Sequence, residues 1–174
     1  MSEWTSAAPA GNASAADHTS RRTRCVNSAT PQPARITVVS PLDEDLIVLL
    51  DILRYSGWVV HSWTNCADAL SALESQVTPV VICERDLADG NWQTLLARTR
   101  PLRNPPRLVI ASRLADDRLW TEALDAGVYD VLAKPFHAGE VNQAVNLARR
   151  SWERDAARAG VPLRLLRSRQ HHDV

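Results

Sequence analysis

Two residues of opposite charge stand directly after apolar runs of strand length. Glu84 closes the run Val-Val-Ile-Cys-Glu, and Lys134 follows Val-Tyr-Asp-Val-Leu-Ala at 128–133. Lys134 is the only lysine of the chain, which otherwise uses arginine for every basic side chain. An ammonium is a compact point charge and a guanidinium a planar fork, so a single lysine at a strand end implies a task that arginine does not serve. If the fold brings the two strand ends together, Glu84 and Lys134 can form an ion pair. They can also act together on a charged group placed between them.

The elements that must position them follow from periodicity. Arg35 to Val39 is a β-branched run, and Leu46, Leu49, Leu50 and Leu53 then recur at helical spacing until Ser56-Gly57. Trp58 to Ser62 reads as a second strand. Asn65 is placed to cap a second helix, with Asp68 at its third position and Ala69, Leu70 and Leu73 on its buried face. Val80 to Glu84 is the third strand. Trp92, Leu95 and Leu96 mark a third helix, ended by the proline-rich stretch 100–106. Arg107 to Ser112 is the fourth strand, and Leu119, Ala123 and Ala126 line a fourth helix closed by Gly127. Val128 to Leu132 is the fifth strand, followed by a helix carrying Val141, Val145, Ala148 and Trp152. Five strand–helix alternations joined by short connections specify an α/β domain with a parallel sheet. The continuous apolar character of the central strands implies that both faces of the sheet are covered. In such sheets ligands bind at the carboxyl ends of the strands, where Glu84 and Lys134 lie.

Bulk properties narrow the classes. The 174 residues are 45% apolar, enough for one packed domain with tails. Net charge is zero but uneven: residues 1–35 carry net +2, residues 36–148 net −6 and residues 149–174 net +4. An acidic body argues against a nucleic-acid-binding core. Cys25, Cys66 and Cys83 show no metal or disulfide spacing, and adjacent His171 and His172 lack further ligands nearby. No signal sequence or membrane-spanning run is visible, so a cytoplasmic location is expected. The composition of residues 1–34 implies a disordered tail in which Arg21, Arg22 and Arg24 are solvated. Residues 35–150 form the expected domain, and 151–174 a helical extension and basic tail. That tail holds Leu163, Leu165 and Leu166, which suit a short docking segment.

The strand ends resemble those of response-regulator receiver domains (the CheY-like superfamily) over roughly Arg35 to Arg150. The motif Gly-Val-Tyr-Asp-Val-Leu-Ala-Lys-Pro-Phe, 127–136, is similar to the family's fifth strand with its Lys-Pro, and Glu84 to Gly90 resembles its phosphoacceptor loop. The resemblance implies a flavodoxin-like, doubly wound (βα)5 fold with strand order 2-1-3-4-5. It also implies a non-enzymatic role in two-component signalling. By the same resemblance Glu84 takes the position of the phosphoacceptor aspartate, and Ser112 that of the switch hydroxyl. Lys134 takes that of the family's lysine, and Val131 that of the usual aromatic, with Tyr129 two residues early. Ser40 and Pro41 stand where the family places two metal-binding acids.

These departures bear on chemistry. Mg²⁺ prefers carboxylate and water oxygens in tight octahedral geometry, whereas Ser40 offers a weak ligand and Pro41 no side-chain ligand. Glu84 moves the carboxylate outward by on the order of 1 Å, which can cost about 100-fold where geometry is tight. The expectation is therefore a degenerate receiver (a pseudo-receiver) without a metal cofactor, acting by phosphorylation-independent protein contact. Glu84 then either mimics a phosphorylated aspartate or simply fills a disused pocket with Lys134. The alternative is a Mg²⁺-dependent receiver in which Asp43 or Asp45 restores the metal site and Glu84, Asp86 or Asp89 accepts phosphate. An alternative of another class is a small-molecule-binding α/β domain, although no strand-to-helix loop carries a GxGxxG or P-loop pattern. For Ser40-Pro41 the competing expectation is a helix cap followed by the first helical residue, and for Ser112 a cap of the fourth helix. The expected partner is a histidine kinase or a transcriptional regulator, met through the fourth helix, fifth strand and fifth helix. Trp120, Tyr129 and Trp152 are candidate anchors there, and the same face is expected to serve a homodimer. No membrane or nucleic-acid partner is expected.

Overall fold

The computed structural model describes residues 34–160. The expectations for a disordered N-terminal tail and for the basic stretch after residue 160 concern residues outside that range.

Five parallel strands form one sheet: β1 (Ala34–Val39), β2 (Trp58–Trp63), β3 (Val80–Glu84), β6 (Arg107–Ser112) and β7 (Asp130–Ala133). Their order is β2-β1-β3-β6-β7, which is the expected 2-1-3-4-5 arrangement. Between them run α1 (Asp43–Arg54), α2 (Cys66–Ser75), α3 (Trp92–Thr99) and α4 (Asp117–Ala126), with α5 (Ala138–Arg158) after the last strand. The twofold alternation of a strand sorts each apolar run onto two cores. Val81 and Cys83 of β3 pack with Ala69, Leu70, Leu95 and Ala123 from α2, α3 and α4. Val80 and Ile82 pack with Leu49, Leu53, Val141 and Val145 from α1 and α5. Burial on both faces is why β3 needs an unbroken apolar run.

Helix ends follow local chemistry. The side chain of Asn65 accepts the Asp68 N–H at the start of α2, as expected, and Asn91 and Asp116 do the same for α3 and α4. Gly127 closes α4 at a φ of 94°, a left-handed conformation that glycine adopts without steric cost.

Several boundaries differ from the sequence expectations. Ser40 does not cap α1 and Pro41 is not its first residue: the cap position is Leu42, with no side-chain cap bond, because Ser40 is held in an extended chain end. Its backbone N–H donates to Trp63 O across the edge of β2. Ser112 does not cap α4, because Asp116 stands closer and takes that role. The loop after β3 contains a two-stranded hairpin, β4 (Asp86–Leu87) with β5 (Gly90–Asn91), stabilised by the buried Leu87. Residue 150 lies inside α5, which continues to Arg158 because Trp152 and Ala156 prolong the buried line of Val141, Val145 and Ala148. Asp155 also pairs with Arg107 at the start of β6.

Candidate functional site

The site sits at the carboxyl ends of β1, β3, β6 and β7. Adjacent pairing of β3 with β6 and of β6 with β7 brings Glu84, Ser112 and Lys134 to one edge. The Lys134 N–H donates to Ser112 O at 3.0 Å, which sets the start of the lysine's path over the sheet edge. Its ammonium then donates to Glu84 Oε2 and to Asp45 Oδ2. The Lys134 side chain is only 5% exposed, with Asp45 at 12% and Glu84 at 15%. The Phe136 ring centroid lies 5.8 Å from Nζ and covers the cation from the other side. A charge this sheltered is screened little, and its two hydrogen-bonded carboxylates offset the desolvation.

Asp45, not Asp43, is the acid that reaches the pocket. Asp43 is exposed at the first position of α1, whereas Asp45 shares one helical line with Leu49 and Leu53, the two buried leucines of that helix. The spacing Asp45–Leu49–Leu53 was the sequence signal that pointed inward. The helix starts two residues later than the capping reading implied, and Asp43, two residues or about 200° around the helix from Asp45, faces outward. Ser40 completes the first layer: its Oγ donates to Asp45 Oδ2 at 3.3 Å and accepts the Leu42 N–H at 3.2 Å. Pro41 is exposed and contributes no polar group.

Ser112 is buried, and its Oγ accepts the Leu114 N–H at 3.1 Å. Val131 is buried in the α2–α3–α4 core beneath β7, so the position of the usual ring holds a small aliphatic group. Tyr129 is half-buried against the opposite core. Trp152, expected as a surface anchor, is 6% exposed. It lies on the inward line of α5 and is core packing. Trp120 is exposed on α4, beside exposed Leu124.

The other acids of the β3–α3 loop are engaged. Asp86 pairs with Arg85 at 2.7 Å. Asp89 accepts the N–H groups of Cys66 and Ala67 at 2.8 and 2.9 Å, so it caps α2 from a neighbouring loop. Those two donors hold its carboxyl below the usual range. Burial pushes the Cys83 thiol well up, as suits a small core side chain. Both pocket carboxylates face the Lys134 ammonium, and the neutral Ser40 and Pro41 flank them. Among the described residues, no group of three or more His, Cys, Asp or Glu is placed to hold a metal ion. Also among them, no helix is long and apolar enough to cross a membrane.

Comparison with known proteins agrees with this geometry. The family model for the response regulator receiver domain matches residues 43–146. The chain is similar to the chemotaxis protein CheY of Bacillus subtilis, at 25% identity over 113 residues, covering 64% of this chain and 94% of that protein. It is also similar to the transcriptional regulatory protein LytR of Staphylococcus aureus, at 28% identity over 96 residues. That match covers 55% of this chain and only 38% of LytR. Among solved structures, the receiver domain of an HD domain-containing protein from Pseudomonas fluorescens superposes with a TM-score of 0.68 at 24% identity, covering 76% of this chain and 99% of that one. A CheY-like receiver domain protein from Methanospirillum hungatei gives 0.63 at 19%, covering 70% and 98%. Receiver domains are non-enzymatic modules of two-component signalling that interact with histidine kinases and regulators. On the match across the greater part of its length, this chain belongs to the response regulator receiver domain family.

Proposed function

We propose that this receiver acts in the cytoplasm as a pseudo-receiver, through protein–protein contacts that do not depend on phosphorylation. The observation that carries the reading is the closed ion triad of Lys134 with Asp45 and Glu84. Lys134 engages one oxygen of each pocket carboxylate, so a divalent cation would have to compete with a tethered ammonium for both acids. Without that cation the charge of a transferring phosphoryl group has no counterweight. The added methylene of Glu84 lets its carboxylate reach the ammonium directly. Glu84 therefore fills the pocket rather than imitating a phosphoryl group: the Ser112 hydroxyl accepts from Leu114, and Val131 offers no ring to follow it. The partner is a histidine kinase or a transcriptional regulator, and its docking face is that of α4, β7 and α5, with Trp120 as the exposed aromatic anchor.

The test is intact-mass measurement of the full chain after incubation with Mg²⁺ and acetyl phosphate, a small-molecule phosphodonor. The expected spectrum contains the unmodified mass alone. A phosphoryl adduct that disappears in Glu84→Gln would overturn the reading.

A further inference from the structure

The two edges of the sheet differ in charge. Acids crowd the carboxyl edge, where α1 begins with Asp43, Glu44 and Asp45 and α4 is entered through Asp116 and Asp117. The amino edge is the reverse. Residues 98–107 run from the last turn of α3 to the start of β6 and carry four arginines and no acid. Residues 149–158, the last turns of α5, carry four more against Glu153 and Asp155. Arg107 fastens the two segments together, for it pairs with Asp155 and its Nε donates to Ser151 Oγ at 3.3 Å. Glu74 and Asp125, near the ends of α2 and α4, stand on the same edge.

Much of this basic charge is not used by the fold. Glu153 is taken by Arg149 at 2.9 Å, and Asp155 by Arg107, with Arg158 at 3.6 Å. Among the described residues, Arg98, Arg103, Arg150 and Arg154 are exposed and make no ion pair or side-chain hydrogen bond. A base at a helix end complements the helix dipole, which accounts for an arginine at the end of α3 and of α5. It does not account for Arg150, Arg154 and Arg158 together. These recur every four residues along one side of α5, about 6 Å apart on its axis, a spacing at which like charges repel.

The chemistry of the face selects its ligand. A guanidinium fork matches the oxygens of a phosphate, and it stays charged at every physiological pH. An anionic membrane surface calls for apolar side chains beside the basic ones, and a protein partner for an aromatic or aliphatic anchor. Among the described residues, no large apolar side chain of 98–107 or 149–160 is exposed. A nucleic-acid backbone needs neither, since phosphate contacts alone give affinity that is independent of sequence.

We propose that the amino edge of the sheet, from the end of α3 to the end of α5, binds the phosphate backbone of duplex nucleic acid without reading its bases. Bulk charge sets an acidic body against such a partner, but the fold gathers many of those acids at the opposite edge. The binding face is independent of the ion triad and stands whether or not the pocket accepts phosphate.

Fluorescence anisotropy of the full chain tests this, with a labelled duplex of about 20 base pairs, as DNA and as RNA, between about 50 and 200 mM salt. The expected result is binding to at least one duplex that does not depend on sequence and falls steeply with salt, the tighter duplex naming the source of the phosphate. Arg98→Gln with Arg103→Gln, and separately Arg150→Gln with Arg154→Gln, each weaken it by about tenfold and reduce the salt slope by about two. Circular dichroism stays unchanged, because all four side chains are exposed. No binding to either duplex at the lowest salt would overturn the proposal. So would binding that both double variants leave intact, or that is lost only when Arg164, Arg167 and Arg169, outside the described residues, are changed to Gln. Tighter binding to phosphatidylserine vesicles or to polyglutamate than to either duplex would also overturn it, and would assign the face to a membrane or an acidic protein.

Discussion

Lys134 connects the two faces of the sheet edge, and its removal should be felt as stability. Lys134→Met leaves Asp45 and Glu84 as sheltered, uncompensated carboxylates, a situation that costs about 3–5 kcal/mol. Urea unfolding should show that loss. Adding Asp45→Asn and Glu84→Gln to the same chain should recover most of it, because no unpaired charge then remains. A loss that persists in the triple variant would mean that the lysine's aliphatic stem, and not its charge, holds the pocket. Glu84 and Lys134 were legible in the sequence because each directly follows a strand, and strand ends converge in a parallel sheet. Asp45 was named only beside Asp43, without a choice between them. Its i, i+4, i+8 spacing with Leu49 and Leu53 carried the signal, but an acid on an apolar line points inward only where a buried cation such as Lys134 awaits it. The Ser40 N–H, which donates to Trp63 O at 3.0 Å, continues the pairing of β1 with β2 past the place where the helix was expected to start.

Among the elements, the β4–β5 hairpin meets the start of α2 through Asp89, which accepts the Cys66 and Ala67 N–H groups, beside the buried Leu87. Asp89 lies below its ordinary pKa in the folded chain, so the unfolded chain binds its proton more readily. Its contribution is therefore complete above the ordinary carboxylate value of about 4 and is lost as pH falls through the lower folded value. Thermal melts of the wild type and Asp89→Ala should differ at neutral pH and converge as the pH drops below about 4. A difference that is constant across that range would assign the effect to loop conformation alone. The terminal helix makes a second test. Trp152 is core, so Trp152→Ala should cost about 3–5 kcal/mol, and a chain ending at residue 150 should be less stable than the full domain. The strands and their order could be read from periodicity, since two buried faces leave unbroken apolar runs. The short hairpin could not, because strands of two residues carry no period. Trp152 falls at i+11 from Val141, on the line of Val145 and Ala148, so its place in the core was legible in the spacing although it was read as a surface anchor.

The whole molecule is a receiver fold whose charged edge is closed upon itself. Three features of that edge act together: the neutral residues after β1, the lengthened carboxylate after β3, and the lysine after β7 bound to both acids. The first two depart from the family's pattern at the metal and acceptor positions, whereas the third is the lysine the family carries there. On the proposed reading they replace an exchangeable cation with a tethered one, which leaves no charge change with which to shift α4.

The most direct measurement is a backbone-amide NMR titration of the full chain with Mg²⁺ followed by beryllofluoride, a phosphoryl mimic. The expected spectra are unchanged at Glu84, Ser112 and Lys134 at millimolar Mg²⁺, before and after the mimic. Saturable shifts at those residues that spread into α4 would show an open, switching pocket and contradict the closed triad.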